Sequence, residues 1–270
     1  MAALLGLTVN MLDAFHESYM MLVAFYCAAR VIMGLVLLST AFTVPMVKGM
    51  MISQFVLAIF PLGLWIGSIH VEIPQRFALI WIAIFLDLCS PMFVAVFIRS
   101  GNQISKRVGL WMDRVFEFYP AMNIEHKTER TNAFVGLVFG YSVVAILYQN
   151  SAHYGLNAFF GKAILGLVQA FCFNWIYFEL DGADLFTHAI RRNVTSAMSW
   201  SSIHLPFIMA YTLAAGALSK IVVATDVPNL DSHDLTHFYE AKSEDHIPDG
   251  LRWFYCVGLG LALACMGKLT

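Results

Sequence analysis

Long apolar runs recurring down the chain constrain its fold more than any other feature. A helix needs about 20 mostly apolar residues to cross roughly 30 Å of hydrocarbon. Seven stretches approach that length: Tyr19 to Ala41, Pro45 to Ile69, Phe77 to Ile98, Thr131 to Gln149, Leu156 to Phe178, Ile203 to Ala224 and Leu251 to Leu269. Within lipid every backbone N–H and C=O must find its partner inside the protein, and runs of this length do so as helices. The expected fold is therefore all-α, a polytopic transmembrane helical bundle of about seven spans forming one domain over residues 1–270. Only 13% of the residues are charged, about half the share usual in soluble domains.

Lys and Arg in the short connections set the orientation. One side carries Lys48, Arg99, Lys106, Arg107, Arg114, Lys127, Arg130, Arg191, Arg192 and Lys268. The other has Arg76, Lys242 and Arg252, with Lys162 and Lys220 reaching toward it. The first side is expected to be cytoplasmic, which puts the amino terminus outside and the carboxyl terminus inside. The sequon Asn193-Val194-Thr195 then falls on the cytoplasmic side and is expected to stay unmodified. Met1 to Leu12 lacks the basic start of a secretory signal and is too short to span. It reads as interfacial, or as the remnant of an upstream helix.

Two connections are long enough to hold structure. In the segment 102–124, Val108, Trp111, Met112, Val115 and Phe118 recur at helical spacing, with Lys106, Arg107, Asp113 and Glu117 between them. This predicts an amphipathic helix at the membrane surface. The segment 225–250 is acidic and reads as an outer solvated loop with one short helix. The net charge of −2 offers no basic face, so nucleic acid is not expected as a partner. The bilayer is. The five cysteines lie in apolar runs without the spacing of a metal or redox site, and no cofactor is implied.

Arg30 and Asp87 fall near the centres of the first and third runs, by rise per residue about 15 Å from either membrane face. At that depth a lone charge costs roughly 3 kcal/mol, so the two are expected to pair inside the bundle. The pair reads either as a structural latch or as part of an ion or proton pathway. Pro91 frees the backbone carbonyl of Asp87.

A second polar group gathers at the cytoplasmic ends of three runs: His126, Glu129 and Arg130; then Glu179, Asp181, Asp184 and His188; then His204 with Pro206. Histidines beside carboxylates shuttle protons or bind metal, whereas the plainer reading is helix-end residues favoured by the helix dipole. His233 and His237 stand at i, i+4, the spacing of a metal pair on one helical turn. They lie in a hydrophilic loop without supporting helices, so a solvated loop is the stronger reading. The pairs Gly63/Gly67 and Gly136/Gly140 permit close helix approach. Packing within the chain is the first expectation and a homo-oligomer the alternative. Gln169 and Asn174 read as interhelical hydrogen-bond groups.

Glu129-Arg130-Thr131-Asn132-Ala133-Phe134-Val135-Gly136-Leu137-Val138-Phe139-Gly140, then Trp175-Ile176-Tyr177-Phe178-Glu179, then His204-Leu205-Pro206 with Gly216, resemble three blocks of the low temperature requirement protein A family (LtrA) of bacteria and fungi. Their order and spacing match together. The family carries an acid where this chain has Tyr141, and its opening Glu-Leu-Phe-Phe-Asp-Leu type helix is absent here, so the resemblance implies a short or truncated, fungal-type member. It implies a polytopic membrane protein associated by name with growth in the cold, and no established reaction or substrate.

Three functional readings follow. In the first, Arg30, Asp87 and the cluster of His126, Glu129, Arg130, Glu179, Asp181 and His204 line a route for ions or protons in a transporter-like or channel-like protein. In the second, the chain is a non-catalytic stress-adaptation or receptor-like component whose charges are latches. The third, a metal-dependent intramembrane hydrolase resting on His233 and His237, is the weakest, and no catalytic residue is assigned.

Overall fold

The computed structural model describes residues 1–11, 18–104, 106–116, 118, 123–149, 156–182, 188–227, 231–235, 237–241 and 243–268. The helical expectation holds, and five helical stretches are long and apolar enough to cross a membrane: Tyr19–Thr43, Pro45–Ile69, Ile124–Leu147, Ala158–Glu179 and Thr195–Val222. The expected count of about seven is not reached among the described residues. The third run lies in a helix several of whose side chains fall outside them, and the seventh forms a helix of 18 residues that begins with Asp249 and Arg252. The described residues divide into two compact units, Met1–Ala121 and Met122–Thr270.

The first unit contains α1 (Ala2–Asn10), α2 (Tyr19–Thr43), α3 (Lys48–Ile59), α4 (Leu62–Ile69), α5 (Gln75–Ile104) and α6 (Lys106–Val115). The apolar run Pro45 to Ile69 is one stretch in sequence and two helices in space. Pro61 has no N–H to give to the turn before it, and the chain restarts there, with Leu64 and Trp65 donating to the Pro61 carbonyl at 3.0 and 3.1 Å. Gly34 lets α2 settle on α3, where an added Cβ would meet Ile59 and Phe55 at 3.1 and 3.2 Å. In the amphipathic α6, Met112 is buried while Leu110, Trp111, Lys106, Arg107 and Arg114 are exposed. A Cβ on Gly49 would collide with the Val115 carbonyl, so α3 and the end of α6 touch through backbone. Val108 and Asp113 have side chains outside the described residues, and Glu117 lies outside them altogether.

The second unit contains α7 (Ile124–Gln149), α8 (Ala158–Gly182), α9 (Ala189–Arg192), α10 (Val194–Val222), α11 (His237–Glu240) and α12 (Asp249–Met266). Its axis is α10, which packs against α7, α8, α9 and α12. Phe207, Ala210 and Tyr211 of α10 join Val135 and Phe139 of α7, Phe173 and Tyr177 of α8, and Ala262 and Met266 of α12 in one buried core. Asn193 begins α10 with a capping box. Its side-chain oxygen accepts from the Ser196 N–H at 2.7 Å, and the Ser196 hydroxyl accepts from the Asn193 N–H at 3.3 Å, satisfying two donors that a helix start leaves open. The sequon asparagine is thus a helix cap. At the opposite end, Lys162 donates to the Ala224 carbonyl at 2.8 Å and to Asp226, fastening the start of α8 beneath the end of α10.

Segment 225–250 is more than a solvated loop. Thr225 donates its N–H to the Glu244 carbonyl at 3.1 Å and its hydroxyl to Asp245 at 3.0 Å, while Ser243 reaches the Val223 carbonyl at 2.9 Å. Leu235 and Ile247 are buried. These contacts fold the segment back onto the end of α10.

Candidate functional site

Two polar centres stand out, one in each unit. In the first, Asp87 of α5 receives donors from two helices. Arg30 of α2 forms an ion pair with it, the Tyr26 hydroxyl donates at 2.5 Å, and the Trp65 indole of α4 donates at 3.3 Å. Tyr26 and Arg30 are one helical turn apart on α2, which places both tips on one face. The Tyr26 and Trp65 rings meet at 4.9 Å. Sequence reading names Arg30 and Asp87 but not Tyr26 or Trp65, whose ring bodies read as core. Asp87 is thereby closed in: both oxygens are engaged, its side chain is 12% exposed and that of Arg30 25%.

The second centre lies at the end of the second unit where α7 and α10 begin and α8 finishes. An open cavity of about 740 Å³ is held between α7 and α10. From α7 and the residue before it, the lining is Asn123, then His126, Lys127 and Arg130 on the first turns, then Thr131 and Phe134. From α10 come Trp200, Ser201, His204, Leu205 and Ile208. Lys127 crosses to donate to the Ser201 hydroxyl at 2.6 Å. Among the described residues no carboxylate lines the cavity, and none pairs with Lys127, Arg130 or His126. Glu125 instead sits 3.5 Å from Arg191.

His204 is buried, and both its ring nitrogens are engaged. Nδ1 lies 2.6 Å from the Trp200 carbonyl, which can only accept, so Nδ1 carries a proton. Nε2 lies 2.9 Å from the Tyr177 hydroxyl, which in turn donates to Asn132 Oδ1 at 2.9 Å. With that hydroxyl proton given to Asn132, Nε2 completes the chain by donating, and His204 is a cation. Turning the Asn132 amide over lets its NH₂ donate to Tyr177, whose proton then passes to Nε2, leaving His204 neutral. The two charge states differ by the turn of one amide, that of Asn132. Around it, Trp200 packs at 4.2 Å from the His204 ring and 5.1 Å from that of His188. Trp200 is 2% exposed, and its indole N–H has no acceptor among the described residues.

The chain belongs to the LtrA family. The family described as bacterial low temperature requirement A protein matches residues 1–269. No curated protein and no solved structure matches the chain. The three blocks that carry the LtrA resemblance in sequence meet at one place, since Asn132, Tyr177 and His204 come one from each. Tyr141, where LtrA members carry an acid, is exposed and stands away from this meeting point, about two and a half helical turns beyond Asn132 on α7.

Of the residues named for the cluster, the cavity brings together His126, Arg130 and His204. It does not bring in Glu129 or Glu179, both exposed. Glu129 lies roughly 130° around α7 from the middle of the cavity face, at 100° per residue. Glu179 is two residues beyond the buried Tyr177 and so faces the other way. The Asp181 side chain and Asp184 lie outside the described residues. In the loop, His233 Nδ1 is 3.1 Å from Glu240 and His237 is exposed. Among the described residues no group of three His, Cys, Asp or Glu side chains is arranged to hold a metal.

Neither Gly63 nor Gly136 nor Gly140 has an atom within 4 Å of an added Cβ, and Gly67 has only the tip of Leu79, at 4.0 Å. The close helix approaches use other glycines, chiefly Gly34, Gly49 and Gly258. The expected use of the two Gly-x-x-x-Gly pairs in packing within the chain is therefore not what the described residues do.

Proposed function

We propose that this integral membrane protein is transporter-like, and that it moves a proton or ion through the cavity between α7 and α10, with His204 as the group that takes up and releases the proton. The observation that carries the reading is the His204, Tyr177, Asn132 chain at the cavity wall, which accepts two proton arrangements with only the Asn132 amide turned over between them. Histidine is the side chain suited to such exchange near neutral pH. The distribution of Lys and Arg supports reading this end as the cytoplasmic one. Arg30 and Asp87 serve in this reading as a latch of the first unit, because a carboxylate held by three donors is poorly placed to pass ions along.

The test is flux. The full chain in proteoliposomes containing acidic lipid, with a pH-sensitive dye inside and a potassium diffusion potential, is expected to acidify or alkalinise with the sign of the potential. His204→Gln should cut the rate at least tenfold and His126→Gln by a smaller factor, with both variants remaining monodisperse. Protein-containing vesicles that behave like empty ones, or His204→Gln vesicles that match the wild type, would end the proposal and favour a non-catalytic membrane component.

A further inference from the structure

We infer that the cavity between α7 and α10 is a binding site for the headgroup of an anionic phospholipid, with the upper part of its acyl chains lying along the same groove. The inference deepens the proposed function and rests on reading this cavity as its site. Three observations carry it.

The first is charge. Among the described residues His126, Lys127 and Arg130 line the cavity with no carboxylate beside them, and Lys127 is matched only by a neutral hydroxyl. Cations gathered at a helix start also oppose the positive end of the helix dipole. A bound anion relieves both. Arg130 offers the planar fork that matches a phosphate, and Lys127 a point charge beside it. Basic pockets between transmembrane helices on the cytoplasmic side are where acidic headgroups bind.

The second is the order of the lining. The polar and charged groups occupy the first turns of α7, whereas Phe134 on α7 and Leu205 and Ile208 on α10 line the part further in. From Lys127 to Phe134 is about 10 Å along the helix, the step from headgroup level to hydrocarbon. Phe134 and Leu205 are exposed, an arrangement that suits an acyl chain and gives nothing to a free ion.

The third is the orphan donor. Trp200 lines this cavity, and its buried indole N–H lacks an acceptor among the described residues. Such a group costs about 1–3 kcal/mol; the nitrogen is closed off in this structure, and a turn of the ring toward the cavity is what would let a ligand oxygen supply the missing acceptor. An anion here also offsets the charge of His204 when that ring is doubly protonated, so lipid binding and proton uptake favour each other.

The detergent-solubilised full chain is titrated by calorimetry with short-chain phosphatidylglycerol, short-chain phosphatidylcholine and inorganic phosphate. Phosphatidylglycerol is expected to bind at least tenfold more tightly than either of the others. Arg130→Gln, at an exposed position that the fold tolerates, should weaken it at least tenfold, and Phe134→Asn should weaken it without changing the response to phosphate. Lys106→Gln on α6 should leave it unchanged. Inorganic phosphate binding as well as the lipid would make this a free-anion site and overturn the inference. So would phosphatidylcholine binding equally, or Arg130→Gln binding like the wild type. Lipid binding without proton flux leaves this inference standing and removes the transport reading; flux without lipid binding does the reverse.

Discussion

Arg30→Ala is expected to destabilise the protein by about 3 kcal/mol, the lower range for removing one partner of a buried ion pair, while Arg30→Ala combined with Asp87→Ala recovers most of that loss. The single substitution leaves the Asp87 carboxylate with only the Tyr26 and Trp65 donors, in a bundle where water is not at hand to solvate the remaining charge. Removing both charges leaves two neutral donors and a small void, a lesser penalty. Asp87→Asn should fall between, because its carbonyl oxygen still accepts from Tyr26 and Trp65 but no longer compensates the guanidinium. Thermal unfolding in detergent, followed by the size-exclusion peak remaining after heating, orders the four proteins. A latch predicts wild type, then the double variant, then Asp87→Asn, then Arg30→Ala. If the double variant is no more stable than Arg30→Ala, the two charges are not coupled and the latch assignment fails.

The pairing of Arg30 with Asp87 is legible in the sequence because opposite charges at the same depth in two apolar runs leave one another as the nearest relief from hydrocarbon. Tyr26 and Trp65 are not legible there, since a mostly apolar ring with one polar atom counts as core until its neighbours are known. The same limit hides Trp200, whose importance lies in a donor left unused. The places of the five membrane-length helical stretches follow from hydropathy alone. The division at Pro61 does not, because a proline in an apolar run is also tolerated inside a helix, as Pro206 is within α10.

Rotation about the helix axes is the property least legible in the sequence. His126, Glu129, Arg130, Glu179 and His204 all come to one end of the second unit, as their places in the runs require. Which of them face one another depends on about 100° per residue, accumulated from helix starts that sequence locates only to within a turn. So Glu129 and Glu179 drop out of the cluster and Lys127 and Ser201 enter it, and among the described residues the cavity is lined by donors and cations rather than by an acid and base mixture. The glycines make the same point. A Gly-x-x-x-Gly pair states that a helix has a smooth stripe, not that a neighbour lies on it.

The second large effect is expected at Gly258. On α12, a Cβ at this position would stand 2.8 Å from the Ala210 carbonyl and 3.0 Å from the Ala214 Cβ of α10, backbone and rigid side chain that cannot swing away. Gly258→Ala should therefore lower stability by about 1–3 kcal/mol, the usual penalty for overpacking, and Gly258→Leu should separate α12 from α10 and leave little folded protein after extraction. Helix association in lipid relies on such close contact, because burying apolar surface gains little where the solvent is itself apolar. Gly260 supplies the internal comparison. It stands two residues along the same helix, and a Cβ there meets nothing within 4 Å, so Gly260→Ala should be neutral or gain up to about 1 kcal/mol from helix propensity. Opposite signs from one methyl group on one helix, measured by the same melting experiment, would show that the α10 and α12 contact holds in the membrane. Because α10 carries Trp200, Ser201 and His204 into the cavity, Gly258→Ala is also expected to slow proton flux in the protein that survives, whereas Gly260→Ala leaves it unchanged. Equal melting of the two alanine variants would mean that α12 does not lie on α10 through Gly258, and the core built from Ala210, Tyr211, Ala262 and Met266 would have to be redrawn.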